Sequence, residues 1–210
     1  MSLISTYDVR VWMGIKEGDE TPNAKIDLLI DAIQDFCDGY TNRKLEAKRY
    51  LTDPNFSYLD GMGKPFIYLP QYPVSYVSSA HIDTDREFGS GTLLASDDMY
   101  WYPGTGKLMS EAGYFSSGRR NVLVDYTAGY APIVGGTHNA AVSTYPIPQD
   151  LRQVMIEMAV MSFKEGMTAV HTVITQEQIR TQNMLSGGSF WRKILDKYKA
   201  IAAGLAGREE

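Results

Sequence analysis

Apolar positions near the start of the chain recur at helical spacing. Ile26, Leu29, Ile30, Ile33, Phe36 and Tyr40 form a stripe at three- and four-residue steps, which predicts an amphipathic helix. Thr21-Pro22 marks its start, with a capping hydroxyl and a proline at the first helical position. Asp27, Asp31, Gln34, Asp35 and Asp38 lie largely off the stripe and are expected in solvent. A shorter helix is predicted before it, capped by Ser5 or Thr6, running through Trp12 and stopped at Gly14. The polar loop Lys16 to Glu20 separates the two.

The pattern changes over about residues 46 to 130, where tyrosines, valines and glycine turns replace the helical period. Arg49 to Thr52 and Phe66 to Leu69 predict strands, with a turn at Asp60-Gly61-Met62-Gly63 between them. A longer strand follows Pro73, through Val74 to Ser78 and Ala80 to Ile82. Met99 to Tyr102 meets the turn Pro103-Gly104-Thr105-Gly106 and returns through Lys107 to Met109. Asn121 to Tyr126 is the clearest strand, with Val122, Val124 and Tyr126 on one face. Short strands with no helices between them imply an antiparallel sheet or small barrel.

Residues 131 to 146 are loop-like, and Pro148-Gln149-Asp150 opens another helix. Leu151, Val154, Met155, Met158 and Ser162 occupy one side of it, and Ile156, Val160 and Phe163 another, so it is expected to be buried over much of its girth. Gly166 is the expected stop. Residues 167 to 188 are compatible with helix or strand, and Ser186 to Ser189 is expected to be a flexible joint. A last helix carries Trp191, Ile194, Leu195, Tyr198, Ile201 and Leu205 at helical spacing. The fold class is therefore α+β: a helical bundle core from residues 1–45 and 131–210, with a β-rich insertion over 46–130.

Composition narrows the function. The chain has 210 residues and a formal net charge of −5. That length buries roughly 70% of the unfolded surface, so no metal or disulfide is needed to fold it. Cys37 is the single cysteine, which excludes an intrachain disulfide. Met1 to Asp8 lacks a basic region followed by an apolar run, so no signal peptide is expected. No stretch approaches the roughly 18 apolar residues of a membrane helix. The acidic balance argues against tight phosphate binding, which needs a clustered basic surface.

The candidate chemistry dissolves on inspection. Gly104-Thr105-Gly106-Lys107 resembles the end of a phosphate-binding loop, but Trp101 and Leu108 stand where that motif needs a glycine and a hydroxyl residue, so a hairpin turn is expected. His81, His138 and His171 have no zinc-type spacing. Cys37 lies beside an apolar helix face and is expected to be a buried, inert thiol. Asp83/Asp85 and Asp97/Asp98 sit among turn formers and are expected to mark polar turns. Met155, Met158 and Met161 suit core packing. Tyr100, Trp101 and Tyr102, together with Tyr68, Tyr72, Tyr76 and Tyr126, suit a core or a subunit interface. No catalytic residue, cofactor or metal is expected.

The order of these features resembles the phage head–tail connector (adaptor, head-completion) family of long-tailed phages. The residues that carry the resemblance begin with Tyr7 to Ile15 and continue with Leu29 to Ile33 followed by Phe36, Tyr40 and Arg43. Leu69-Pro70-Gln71-Tyr72-Pro73-Val74, Val124 to Tyr130 and Ile147-Pro148-Gln149-Asp150-Leu151 complete the order. It covers about residues 5 to 165.

The resemblance implies a structural, non-enzymatic subunit of the virion neck, assembled in the host cytoplasm. It implies a homo-oligomeric ring, usually of twelve copies, under the portal protein. The ring would extend the DNA channel and offer a surface to a stopper or tail-completion protein. Genome DNA would pass without specific binding, since acidic walls repel phosphate, and no membrane is involved. Portal docking is expected from the last helix, through Trp191, Ile194, Leu195, Tyr198, Ile201 and Leu205, and Tyr100, Trp101 and Tyr102 are the expected interface aromatics. The alternatives are another neck or tail-completion protein, or a carbohydrate- or receptor-binding module of the virion.

Overall fold

Ser5 opens the first helix, α1 (Thr6–Met13), through a reciprocal capping box. Its hydroxyl accepts from the Asp8 amide at 3.2 Å, and the Asp8 carboxylate accepts from the Ser5 amide at 2.9 Å. Gly14 ends the helix in the left-handed conformation, φ 67°. These features belong to a computed structural model that describes residues 2–134, 137–138, 143–164 and 188–200.

The backbone divides into two compact units. One takes the described residues within 1–46, 131–140 and 146–200, and the other those within 47–130 and 141–145.

In the first unit α2 (Asn23–Thr41) carries the predicted apolar stripe, and Ile26, Leu29, Ile30 and Ile33 are buried. Its start differs from expectation. Pro22 occupies the cap position and no side chain caps the helix. The Thr21 amide is taken by the Asp19 carboxylate, and the Asn23 amide closes a turn on the Glu20 carbonyl. Arg10 ties this entry to α1, donating to the Asp19 carbonyl and to the Asn23 side chain, both at 2.6 Å.

Two polar residues expected in solvent are also buried. Gln34 accepts from the Leu3 amide at 3.3 Å and donates to Asp38 at 3.0 Å. Asp38 accepts from the Leu45 amide at 3.0 Å and pairs with Lys44. The segments at Leu3 and Leu45 lie over this side of α2, so its polar groups satisfy backbone donors that water cannot reach. Asp27, Asp31 and Asp35 are exposed, as expected.

α3 (Gln149–Lys164) is buried over much of its girth, through Leu151, Val154, Met155, Ile156, Met158, Ala159 and Val160. α4 (Gly188–Asp196) is shorter than the predicted last helix. Gly188 and Ser189, expected in a joint, have helical backbone. After Asp196 the chain turns, with the Lys197 and Tyr198 amides bonded to the Ile194 and Leu195 carbonyls. The turn is held by side chains: Asp150 accepts from Tyr198 and Lys197, and Asp196 accepts from Tyr40. Gly166, the segment 167–187, Ile201 and Leu205 lie outside the described residues. A short ladder pairs β8 (Ile133–Val134) with β9 (Thr137–His138) in the 131–146 stretch.

The second unit is built on β7 (Gly118–Ala128), the predicted clearest strand. β4 (Val74–Ile82) pairs along one edge of it. β1 (Lys48–Tyr50) and β2 (Tyr58–Gly61) share the other edge in succession, and every pairing is antiparallel. Val122, Val124, Tyr126 and Ala128 alternate into the core with no exposed surface. Tyr126 stacks on Tyr50, centroids 5.1 Å apart.

β2 is a strand where the sequence predicts a turn. Asp60 and Gly61 belong to it, because the Asp60 carboxylate accepts the Arg120 amide and the Gly61 amide donates to Asn121 Oδ1 at 2.8 Å. A second antiparallel sheet has the order β3 (Phe66–Tyr68), β6 (Lys107–Ser110), β5 (Met99–Tyr102). The fold is α+β with antiparallel sheets.

Candidate interface surface

The turn after β5 decides which side chains share a face. Gly106 takes φ 67°, and a Cβ there would meet the Leu69 carbonyl at 2.8 Å, so the hairpin needs glycine at this position. The phosphate-loop look-alike is therefore the hairpin turn. The register that follows sets Tyr102 opposite Lys107 and Tyr100 opposite Met109. On the far side of β6, Tyr68 pairs with Lys107 and Phe66 with Met109.

Two rows result across the three strands: Phe66–Met109–Tyr100 and Tyr68–Lys107–Tyr102. Tyr100 is 39% exposed and Tyr102 50%, and the other four side chains are partly exposed. The opposite face, with Ile67, Leu108 and the partly buried Met99 and Trp101, packs on the core.

Strand alternation thus separates the three expected interface aromatics. Tyr100 and Tyr102 share the outer face and contact edge to face at 5.9 Å. Trp101 turns inward and packs edge to face on Tyr76 at 6.2 Å. Lysines sit over the outer rings. Lys107 Nζ lies 4.4 Å from the Phe66 centroid and 5.8 Å from that of Tyr102, and Lys64 Nζ lies 5.5 Å from Phe66. Partial burial, followed by neighbouring Tyr102, pushes the Tyr100 phenol above its ordinary pKa.

Sequence reading missed Phe66, Lys107 and Met109 as members of this face, and set Tyr68 only in a wider group of tyrosines suited to a core or an interface. Counting back through the turn at 103–106 places Met109 and Lys107 beside the tyrosines. The pairing of β3 has no such local signal.

Cys37, Asp83, Asp97 and Asp98 have structural settings. Cys37 is fully buried, and burial, then the charge of Asp38, pushes its thiol far up. The Asp83 carboxylate accepts the amides of Phe88, Asp85 and Glu87 at 2.8, 2.9 and 3.0 Å and organises a polar turn. The Phe88 amide foremost holds Asp83 below the usual carboxylate range. Asp97 and Asp98 lie in a short 3₁₀ turn, Ser96–Asp98. Among the described residues no group of three or more His, Cys, Asp or Glu side chains could hold a metal ion, and no helix is long and apolar enough to cross a membrane.

Residues 2–201 match the family model described as head completion protein. The chain belongs to the head completion protein family. No curated protein matches the sequence. Among solved structures, a chain from the neck of an empty gene transfer agent particle, computed with C6 symmetry, superposes with a TM-score of 0.58 at 17% identity. That match covers 99% of this chain and 94% of the other. A chain from the virion of a native gene transfer agent particle superposes with a TM-score of 0.55 at 14% identity, covering 95% and 91%. At these identities the likeness is one of fold.

In this head completion protein the residues expected to dock on a portal are unevenly placed. Ile194 and Leu195 are buried inside the first unit. Trp191 is partly exposed, and its indole donates to Glu157 at 3.2 Å. Tyr198 is partly exposed in the turn after α4, and its hydroxyl donates to Asp150 at 2.5 Å. Phe190, one residue before the predicted set, is 50% exposed.

Proposed function

We propose that this chain is a ring-forming structural subunit of the neck of a phage-like particle. In this reading it extends the DNA channel below the portal and presents a surface to a stopper or tail-completion protein, and it performs no catalysis. The observation that carries the reading is the family match across residues 2–201. Two further observations support it: a chain of the same fold stands in a six-fold symmetric neck, and one sheet face shows four aromatic rings around Met109 and Lys107 to the outside. Aromatic residues and methionine are enriched in protein interfaces.

In this reading the last helix docks on the portal, and the outer sheet face within β-rich residues 46–130 makes subunit contacts. Ile194 and Leu195 would hold α4 in place, because they are buried. Contact would come from Phe190, Trp191, Tyr198, Ile201 and Leu205.

The experiment is to mix the chain with the portal protein of the same genome, isolate complexes by size and image them. A ring of this chain capping the portal is the expected result. Two folded proteins that form no complex would overturn the portal-adaptor reading and favour a tail-side or receptor-binding role.

A further inference from the structure

The outer face of the second sheet has a counterpart elsewhere in the same chain. On α2, Ala24, Asp27, Leu28, Asp31 and Asp35 fall within an arc of about 100° on a helix that turns 100° per residue. All five are exposed, and Leu28 stands 62% in solvent. Asp27 accepts the Thr6 hydroxyl, while Asp31 and Asp35 have no hydrogen bond or ion pair among the described residues. This is a row of carboxylates around one bare leucine.

The sheet face is its complement in charge. Lys64 and Lys107 lie over aromatic rings without a carboxylate partner among the described residues. An ammonium placed on a ring still attracts an anion, and its stem and the rings beside it offer apolar surface to a leucine. The dimensions agree. Asp27 to Asp35 spans about 12 Å of helix at 1.5 Å per residue, and three strands at ~4.8 Å spacing span about 10 Å.

We propose that the occupant of the Phe66/Tyr68/Tyr100/Tyr102/Lys107/Met109 face is the Asp27–Asp35 face of α2 in a second copy of this chain. The two patches differ, so the contact is heterologous: each copy gives its sheet face to one neighbour and its helix face to the other. Repetition of such a contact closes a ring when the rotation between copies is a whole fraction of a turn. This rests on the neck-subunit reading and adds to it which two surfaces meet.

The test uses particles assembled from the genome that encodes the chain. Lys107→Cys and Asp31→Cys are supplied as separate chains, alone and mixed, and the particles are treated with a short thiol-to-thiol crosslinker. Both substitutions are on the surface, and melting of each purified variant checks that it folds. Wild type, whose Cys37 is buried, controls for background. The expected result is a covalent dimer of the chain in the mixed particles and none in particles carrying either variant alone. No dimer in the mixture would overturn the proposal. A dimer from Lys107→Cys alone would also overturn it, since the sheet faces would then meet each other. Absence of the wild-type chain from particles would overturn the neck reading and this proposal together, an outcome distinct from the other two.

Discussion

The carboxylate of Asp8 closes the cap of α1 and also accepts the guanidinium of Arg152 from α3 at 2.6 Å. Asp8 is 7% exposed, and Arg152 Nε is buried with no hydrogen-bond partner among the described residues, so this one carboxylate bears much of the local polar balance. Asp8→Ala removes the carboxylate half of the capping box, worth about 1 kcal/mol, and strands a partly buried cation at about 1–3 kcal/mol more. A urea unfolding series should show the unfolding free energy falling by about 2–4 kcal/mol, and Asp8→Asn, which keeps an acceptor for Ser5, should lose roughly half of that.

Gly61→Ala should be among the most damaging single-methyl changes in the β unit. The added Cβ would meet the Ser116 carbonyl at 1.9 Å and Asn121 Oδ1 at 2.9 Å. The first of these is backbone and cannot swing away. Overpacking typically costs about 1–3 kcal/mol, and a clash with fixed backbone falls at the upper end. Thermal unfolding of the variant would measure it, and a loss under about 1 kcal/mol would mean that β2 shifts to make room.

The outer tyrosines should separate stability from assembly. Tyr100→Ser with Tyr102→Ser changes half-exposed side chains on an edge strand, so the folding free energy should move by about 0.5 kcal/mol per site or less. If the face is an interface, the doubly substituted chain should be depleted from assembled particles relative to wild type, as read by quantitative blotting.

Acid should loosen the turn that Asp83 organises. Its pKa lies below the ordinary value in the folded chain, so its contribution is fully present above the unfolded value of about 3.9 and is lost as the pH falls through the lower folded value. Amide exchange at Phe88 and Glu87 should therefore hold steady from pH 7 to about 4 after correction for intrinsic rates, and protection should fall below that. Asp83→Asn should show reduced protection throughout.

Cys37 should be silent in the native protein. Burial pushes its thiol far up, so thiolate is scarce at neutral pH and the sulfur is out of reach. Maleimide labelling should be negligible in buffer and complete in denaturant. Rapid native labelling would mean that α2 opens readily.

Several elements were legible because their signals are local. The capping box at Ser5 and Asp8, the stop at Gly14, the stripe from Ile26 to Ile33 and the alternation in Val122, Val124 and Tyr126 depend on residues within a turn or a strand of one another. The order of helical and β segments resembled the family that the match over residues 2–201 shows. The readings that failed depended on what arrives from elsewhere in the chain. Gln34 and Asp38 look solvated on a helical wheel, but Leu3 and Leu45 bring backbone amides to them. Asp60-Gly61 has turn chemistry, but the Asn121 side chain and the Arg120 amide hold it as a strand.

By itself, then, the sequence determined the α+β class, most element boundaries and the hairpin that returns Met99–Tyr102 through Lys107–Met109. Periodicity, caps and a glycine-dependent turn are short-range properties of the chain. Tertiary structure decided that Trp101 faces the core while Tyr100 and Tyr102 face out with Phe66, Tyr68 and Lys107. It also decided that Ile194 and Leu195 are buried while Phe190 is exposed. Each outcome depends on a neighbour remote in sequence, such as β3 against β6, and which face of an element is covered is a property of the packed chain.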